Sequence, residues 1–189
     1  MSKTFITLII GIGGLCCIQS SCKKNNVSEQ DDLPQLTFTG ANTIGCKING
    51  TSWVPKGIFS GGVATYPVSG GYYGFPYYPG THFRIRTSDP GNTIEIFLRN
   101  YSGSSDIPVG VYYLNKNTQS LYGNGEIHSY GICNFNGKEF ITDSLRTGKI
   151  EIIKSDRQTG IVSGKFEFNA YNLIENKIIT ITNGRFDVK

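Results

Sequence analysis

Histidine, methionine and tryptophan are almost missing from this 189-residue chain, which holds two, one and one of them. His82 and His128 form no His-x-x-x-His pair, and no Cys-x-x-Cys supplies paired thiolates for a metal. No Gly-x-Ser-x-Gly elbow marks a hydrolase nucleophile. Carboxylates are sparse, 14 in all, and Asp143, Asp156 and Glu151 fall in or beside expected turns, where Asp is an ordinary turn residue. The sequence therefore names no catalytic residue, no metal ligand and no cofactor, and a non-enzymatic protein is expected. Charge of one sign is also lacking. Net charge is only +4 and its residues are scattered, which predicts no nucleic-acid partner, since phosphate binding needs a clustered basic face. Long apolar runs are absent too: Phe5–Ile18 is too short to cross a bilayer, which needs roughly 20 residues.

That apolar segment, with Lys3 ahead of it and small residues behind, has the layout of a signal peptide. Ser20-Ser21-Cys22 resembles the lipobox of bacterial lipoproteins, whose cysteine becomes the lipidated first residue; Gln19 stands where Leu is usual. Cys16 and Cys17 fit less well, because Leu15 and Cys16 precede them. The reading is a lipoprotein signal peptide over 1–21, lipidation at Cys22, a flexible tether over 22–34 (CKKNNVSEQDDLP) and one domain over 35–189. Plain secretion or an uncleaved anchor is the alternative. The expected location is the cell envelope, most readily the outer membrane, reached through acyl chains rather than a span.

From Leu36 onward the pattern is β. Asn-Gly pairs at 49–50, 124–125, 136–137 and 183–184 favour two-residue hairpin turns. Between them lie short alternating runs such as HFRIRT (82–87), TIEIFLRNY (93–101), GVYYL (110–114), GKIEIIK (148–154), IVSGKFEFNAY (161–171) and KIITIT (177–182). Phe83 and Ile85 take one face while Arg84 and Arg86 take the other, so one face is expected buried and one wet. No segment has helical periodicity. The expected fold is all-β: a single-domain antiparallel sandwich or partly open barrel built from hairpins.

Two stretches share Cys-x-x-Asn-Gly-x-x-aromatic: CKINGTSW (46–53) and CNFNGKEF (133–140). Pairing outward from each turn sets Cys46 opposite Trp53 and Cys133 opposite Phe140, both on the apolar face. Two outcomes stay open. In an oxidising compartment Cys46 and Cys133 form a disulfide closing a long loop, or they are two small buried hydrophobes that never meet. Pairing outward from Asn183-Gly184 puts Ile181 and Phe186 on one face of a third hairpin.

Gly61–Gly80 (GGVATYPVSGGYYGFPYYPG) is the candidate binding feature. Tyr66, Tyr72, Tyr73, Phe75, Tyr77 and Tyr78 sit among glycines and prolines, and exposed tyrosines on a stiffened loop stack on sugars or dock proteins. The alternative is that the rings fold back and cap the domain. Asp143-Ser144-Leu145 matches the Asp-Ser-aliphatic acceptor pattern for O-glycosylation at Ser144 in exported bacterial proteins, or is a plain turn.

Asn49-Gly50-Thr51-Ser52-Trp53 near the tether, Gly164-Lys165-Phe166-Glu167-Phe168, and Ile181-Thr182-Asn183-Gly184-Arg185-Phe186 at the end together resemble an uncharacterised family of Bacteroidota envelope lipoproteins. The resemblance touches both ends of the domain and implies a β-rich envelope domain with no catalytic residues to carry over. The expected function is a binding or adhesion module whose ligand is a glycan or an envelope protein. A purely structural envelope component is the second reading; a hydrolase or an apolar-ligand barrel is the third.

Overall fold

A computed structural model describes residues 32–73, 81–100, 107–116 and 129–189, all within one compact unit, Asp31–Lys189. Cys22 and the leader lie outside the described residues, as does Asn124-Gly125. Among the described residues there is no helix. The strands are β1 (Thr43–Ile48), β2 (Thr51–Trp53), β3 (Ile58–Ser60), β4 (Val63–Thr65), β5 (Val68–Tyr73), β6 (Thr81–Thr87) and β7 (Thr93–Asn100). They continue as β8 (Gly110–Leu114), β9 (Tyr130–Phe135), β10 (Lys138–Ile141), β11 (Gly148–Asp156), β12 (Ile161–Asn172) and β13 (Lys177–Val188).

All but β3 and β4 belong to one antiparallel sheet that forks at β12. β12 pairs with β13 along one side, and β1 and β2 follow. Its other side pairs over its first part with β11, on whose far edge β8 lies, then meets β10 through Tyr171 opposite Ile141. From β10 the sheet continues through β9, β7 and β6 to β5. The two arms enclose one core: Phe83 on β6 lies 6.2 Å from Phe186 on β13, centroid to centroid, and both are buried. Ile85, Ile94, Ile96, Ile150 and Ile181 complete its centre. The sheet folds over this core without closing into a barrel.

Both Asn-Gly hairpins have the expected register. Cys46 pairs with Trp53, Lys47 with Ser52 and Ile48 with Thr51; Cys133 pairs with Phe140, Asn134 with Glu139 and Phe135 with Lys138. Asn49, Gly50, Asn136 and Gly137 all have positive φ, as this turn requires. The expected face pattern also holds where Phe166 and Phe168 are buried and Lys165 and Glu167 exposed. It fails in the β7–β9 region. There the face opposite the core carries a second apolar cluster of Phe97, Tyr130 and Ile132, with Phe97 and Tyr130 stacked at 5.2 Å.

Asn183-Gly184 is a correction. It makes no turn; β13 runs straight through it, and the register against β12 shifts between Phe166 and Phe168. Asn183 at φ 53° supplies a bulge, a second use of the same residue pair. Ile181 and Phe186 are five residues apart and would face opposite ways on a regular strand. The extra residue brings both into the core. The turn lies instead over residues 173–176.

Candidate functional site

One end of the domain is organised around Asp187, which is fully buried on β13. Thr37 Oγ1 donates to its carboxylate at 2.6 Å, Thr39 N at 3.0 Å, Gly40 N at 2.9 Å, Ala41 N at 3.1 Å, and Ser163 Oγ from β12 at 2.6 Å. Burial alone would push this carboxyl up. The Ser163 and Thr37 hydroxyls and the Ala41 and Gly40 amides outweigh it and hold Asp187 well below the usual carboxylate range. No acceptor capacity is left facing solvent, so this group is a clamp on the incoming chain rather than an acid or base.

The candidate tyrosines divide. Tyr72 is half-buried, its ring 5.9 Å from Phe83 and its hydroxyl paired with Ser155 Oγ, so it caps the core. Tyr66 is 82% exposed. Tyr73 ends β5 with its backbone; its side chain, with Phe75, Tyr77 and Tyr78, lies outside the described residues. The expected single loop is partly strand, because Val68–Tyr73 pairs with β6 from Val68–Thr87 to Tyr73–His82.

Just before Tyr66 stands a feature the sequence reading missed. β3 and β4 pair only with each other among the described residues, joined by Gly61-Gly62, both at positive φ. The hairpin is held at its base. Gly57 N donates to Ser88 O and Ser88 N to Pro67 O, each at 2.9 Å, and Lys56 N donates to Asp89 Oδ2 at 3.1 Å. Above the base it carries Phe59 at 77% and Val63 at 65% exposure, and no charged residue from Ile58 to Tyr66. The Gly-Gly hairpin signal was present, but the surrounding Tyr- and Gly-rich composition masked it.

A second missed pair, Leu173 and Ile174, tops the β12–β13 turn at 80% and 95% exposure. A chain of contacts links this turn to the hairpin base. The β6–β7 turn that holds the base meets the β9–β10 turn through Asn136 N donating to Asn92 Oδ1 at 3.1 Å. Lys138 of that turn then pairs with Glu175. The strand that leaves the hairpin, β5, crosses β13 at the Asp187 end, where a Cβ at Gly70 would lie 2.5 Å from Val188, while the 173–176 turn stands at the other end of β13. Ser144 is exposed nearby, in a turn that Asp143 closes by accepting from Leu145 N and Arg146 N at 2.7 and 2.6 Å.

Cys46 and Cys133 are free thiols, both buried in the one core cluster. They come from β1 and β9, in different arms of the sheet, and neighbour one another in the core. Burial, then the neighbouring Cys133, raises the Cys46 thiol far above its ordinary value, and burial pushes Cys133 up to about 12. Since only the thiolate reacts, neither should be alkylated at pH 8 in the folded protein. Mass spectrometry after unfolding without reductant should then find both modified; a missing pair of labels would mean that they are bridged.

Among the described residues no group of three or more His, Cys, Asp or Glu side chains is placed to hold a metal ion. No curated protein and no solved structure matches the chain. A family model does match it, over residues 78–188, which covers the 173–176 turn and Asp187 but not the β3–β4 hairpin. With more than half of its length matched, the chain belongs to the family described as Domain of unknown function (DUF6252).

Proposed function

We propose that this protein is a lipid-anchored envelope module, not an enzyme, that binds a protein ligand through the β3–β4 hairpin and Tyr66. The observation that carries the reading is the hairpin itself. Two short strands outside the main sheet are marginal on their own, yet Phe59, Val63 and Tyr66 are held out in water by hydrogen bonds at the base. Exposed apolar groups that add nothing to the core mark an interaction surface, and both edges of the hairpin offer backbone groups to an added strand. Lipidation at Cys22 is supported by the signal-like leader and the polar tether. The Asp187 clamp fits the same picture, because it fixes the start of the domain, where the tether arrives, to its last strand.

A glycan ligand is the second reading, favoured by Tyr113. That ring is 69% exposed beside a depression of about 410 Å³ lined by Lys149, Glu167, Asn169 and Thr180. The test uses the fragment 31–189 and its F59S/Y66S variant, with isolated envelope fractions and a glycan array as probes. Wild type should bind the fractions, and the variant should bind at least about tenfold more weakly with stability unchanged within about 0.5 kcal/mol, as for exposed positions. Envelope binding that survives the double substitution overturns the hairpin reading. Array binding that is lost in Tyr113→Ala would establish the glycan reading instead.

A further inference from the structure

The bulge at Asn183-Gly184 interrupts the β12–β13 ladder. Phe166 pairs with Gly184 and Phe168 with Ile181, so Glu167 alone stands opposite Thr182 and Asn183. Two residues against one bend the bulged strand and raise its local twist, which breaks the flat outer face of the sheet. Three depressions meet there. One of about 410 Å³ reaches from Tyr113 to Thr182, one of about 210 Å³ lies over Lys149, Glu167 and Asn183, and one of about 400 Å³ runs from Asn183 past Arg185 to Leu36. The first two share Lys149 and Glu167, and the last two share Lys165, Asn183 and Gly184. They are stages of one trough across β8, β11, β12 and β13, at least about 14 Å long at the usual strand spacing.

Its walls limit what it can hold. β11, β12 and β13 are each paired on both sides, so the floor offers no backbone groups to an added peptide strand. Charges of both signs are interspersed along it. Lys149 pairs with Glu167 at 3.1 Å, and the ladder sets Glu151 opposite Lys165 and Lys165 opposite Arg185. An anion would face Glu151 and Glu167, a cation would face Lys149, Lys165 and Arg185, and like charges brought together cost affinity. An uncharged ligand rich in hydroxyls meets neither penalty, because a hydroxyl donates to a carboxylate and accepts from an ammonium group. At one end Tyr113 and Val111, both exposed, lie on the same face of β8 and present an apolar surface beside these polar groups. Sugars carry both features, an apolar C–H face and a rim of hydroxyls.

We propose that the trough binds an extended, uncharged oligosaccharide, with one sugar stacked on Tyr113 and the next ones lying across the bulge toward Asn183 and Lys165. The proposal rests on the glycan reading of Tyr113 and turns a single contact into a row of subsites; it does not depend on the hairpin. It also gives the bulge a use beyond folding, in keeping with the frequent placement of bulges beside binding sites.

A glycan array of neutral and acidic linear oligosaccharides, from one to six sugars long, followed by calorimetric titration of the fragment 31–189, tests this. Wild type should bind a neutral series and gain at least about tenfold in affinity between two sugars and six. Tyr113→Ala should lose at least about tenfold at every length, as the stacking surface goes. Asn183→Gly keeps the positive φ without strain and removes the amide. That variant and Lys165→Ala should weaken the long ligands and leave the short ones unchanged, while F59S/Y66S should bind like wild type. Binding that is lost in Tyr113→Ala but is the same for short and long ligands, or is insensitive to both Asn183→Gly and Lys165→Ala, would leave the glycan reading standing and refute the trough. A wild type that binds nothing on the array overturns both. Binding of acidic sugars alone, abolished in Lys165→Ala and kept in Tyr113→Ala, would make this an anion site and overturn both as well.

Discussion

Replacing Asp187 by Ala is expected to remove at least about 3 kcal/mol of stability, because several donors aimed at its carboxylate are left without an acceptor at about 1–3 kcal/mol each. For a domain of this size that is a fall in Tm of about 6–12 °C. The effect has a pH signature. The folded carboxyl is held well below its ordinary value, so its contribution is fully present above the unfolded value near about 3.9 and fades as pH falls through the folded one. Denaturant midpoints of wild type and Asp187→Asn should therefore differ by a constant amount above about pH 5 and converge below about pH 4. A gap that does not narrow in acid would mean that the side chain matters for packing and not for its charge.

Gly164→Ala should be of similar severity for a different reason. A Cβ at Gly164 would lie 2.0 Å from the backbone oxygen of Glu151 on β11 and 3.0 Å from the Phe186 ring. Backbone cannot rotate aside as a side chain can, so β11 and β12 must separate or the ladder must slip. Overpacking typically costs about 1–3 kcal/mol and sometimes more, and a contact this short belongs at the upper end. The gain of about 0.4–1 kcal/mol from stiffening the unfolded chain is too small to offset it. Gly71→Ala is the control, since a Cβ there meets nothing within 4 Å. Urea unfolding should show Gly164→Ala destabilised by about 3 kcal/mol and Gly71→Ala nearly unchanged. Equal effects would show that strand entropy, not the approach to Glu151, decides the cost. Gly184 has the same role, with its would-be Cβ 2.5 Å from Phe166 O. The glycines of Gly-x-Phe-x-Phe and Thr-x-Gly-x-Phe are thus sites of close approach between strands.

Most of the framework could be read from the residues, because it depends on local rules. Alternation gave the strands, and two Asn-Gly pairs gave hairpins whose register matched pair for pair. Asn183-Gly184 was misread because positive φ at Asn suits a bulge as well as a turn, and only the partner strand decides between them. The 173–176 turn was overlooked because apolar residues occupy its tip. The clamp on Asp187 was beyond reach for another reason: its partners lie up to 150 residues away, and nothing local marks a buried carboxylate at the end of a strand. Likewise a groove lined by Ile141, Arg146, Tyr171 and Leu173 is assembled from turns near 137, 145 and 173, so no single stretch announces it.

The position of the clamp also decides how the molecule bears load. In the proposed anchored state, tension applied at the 173–176 turn leaves through Thr37–Ala41 to the tether. Asp187 sits near one end of β13 and the 173–176 turn at the other, about 35 Å apart for a strand of this length. The pull is then directed along β13, whose neighbours β12 and β1 flank it on either side. Ladder hydrogen bonds loaded along the strand share the force and must shear together, whereas bonds loaded across it open one after another. Before the ladders are strained, the load passes through the cluster of hydrogen bonds on one carboxylate. Acid that protonates Asp187 would weaken that link first, so the grip of the domain on its tether would be set by the same pH window as its stability.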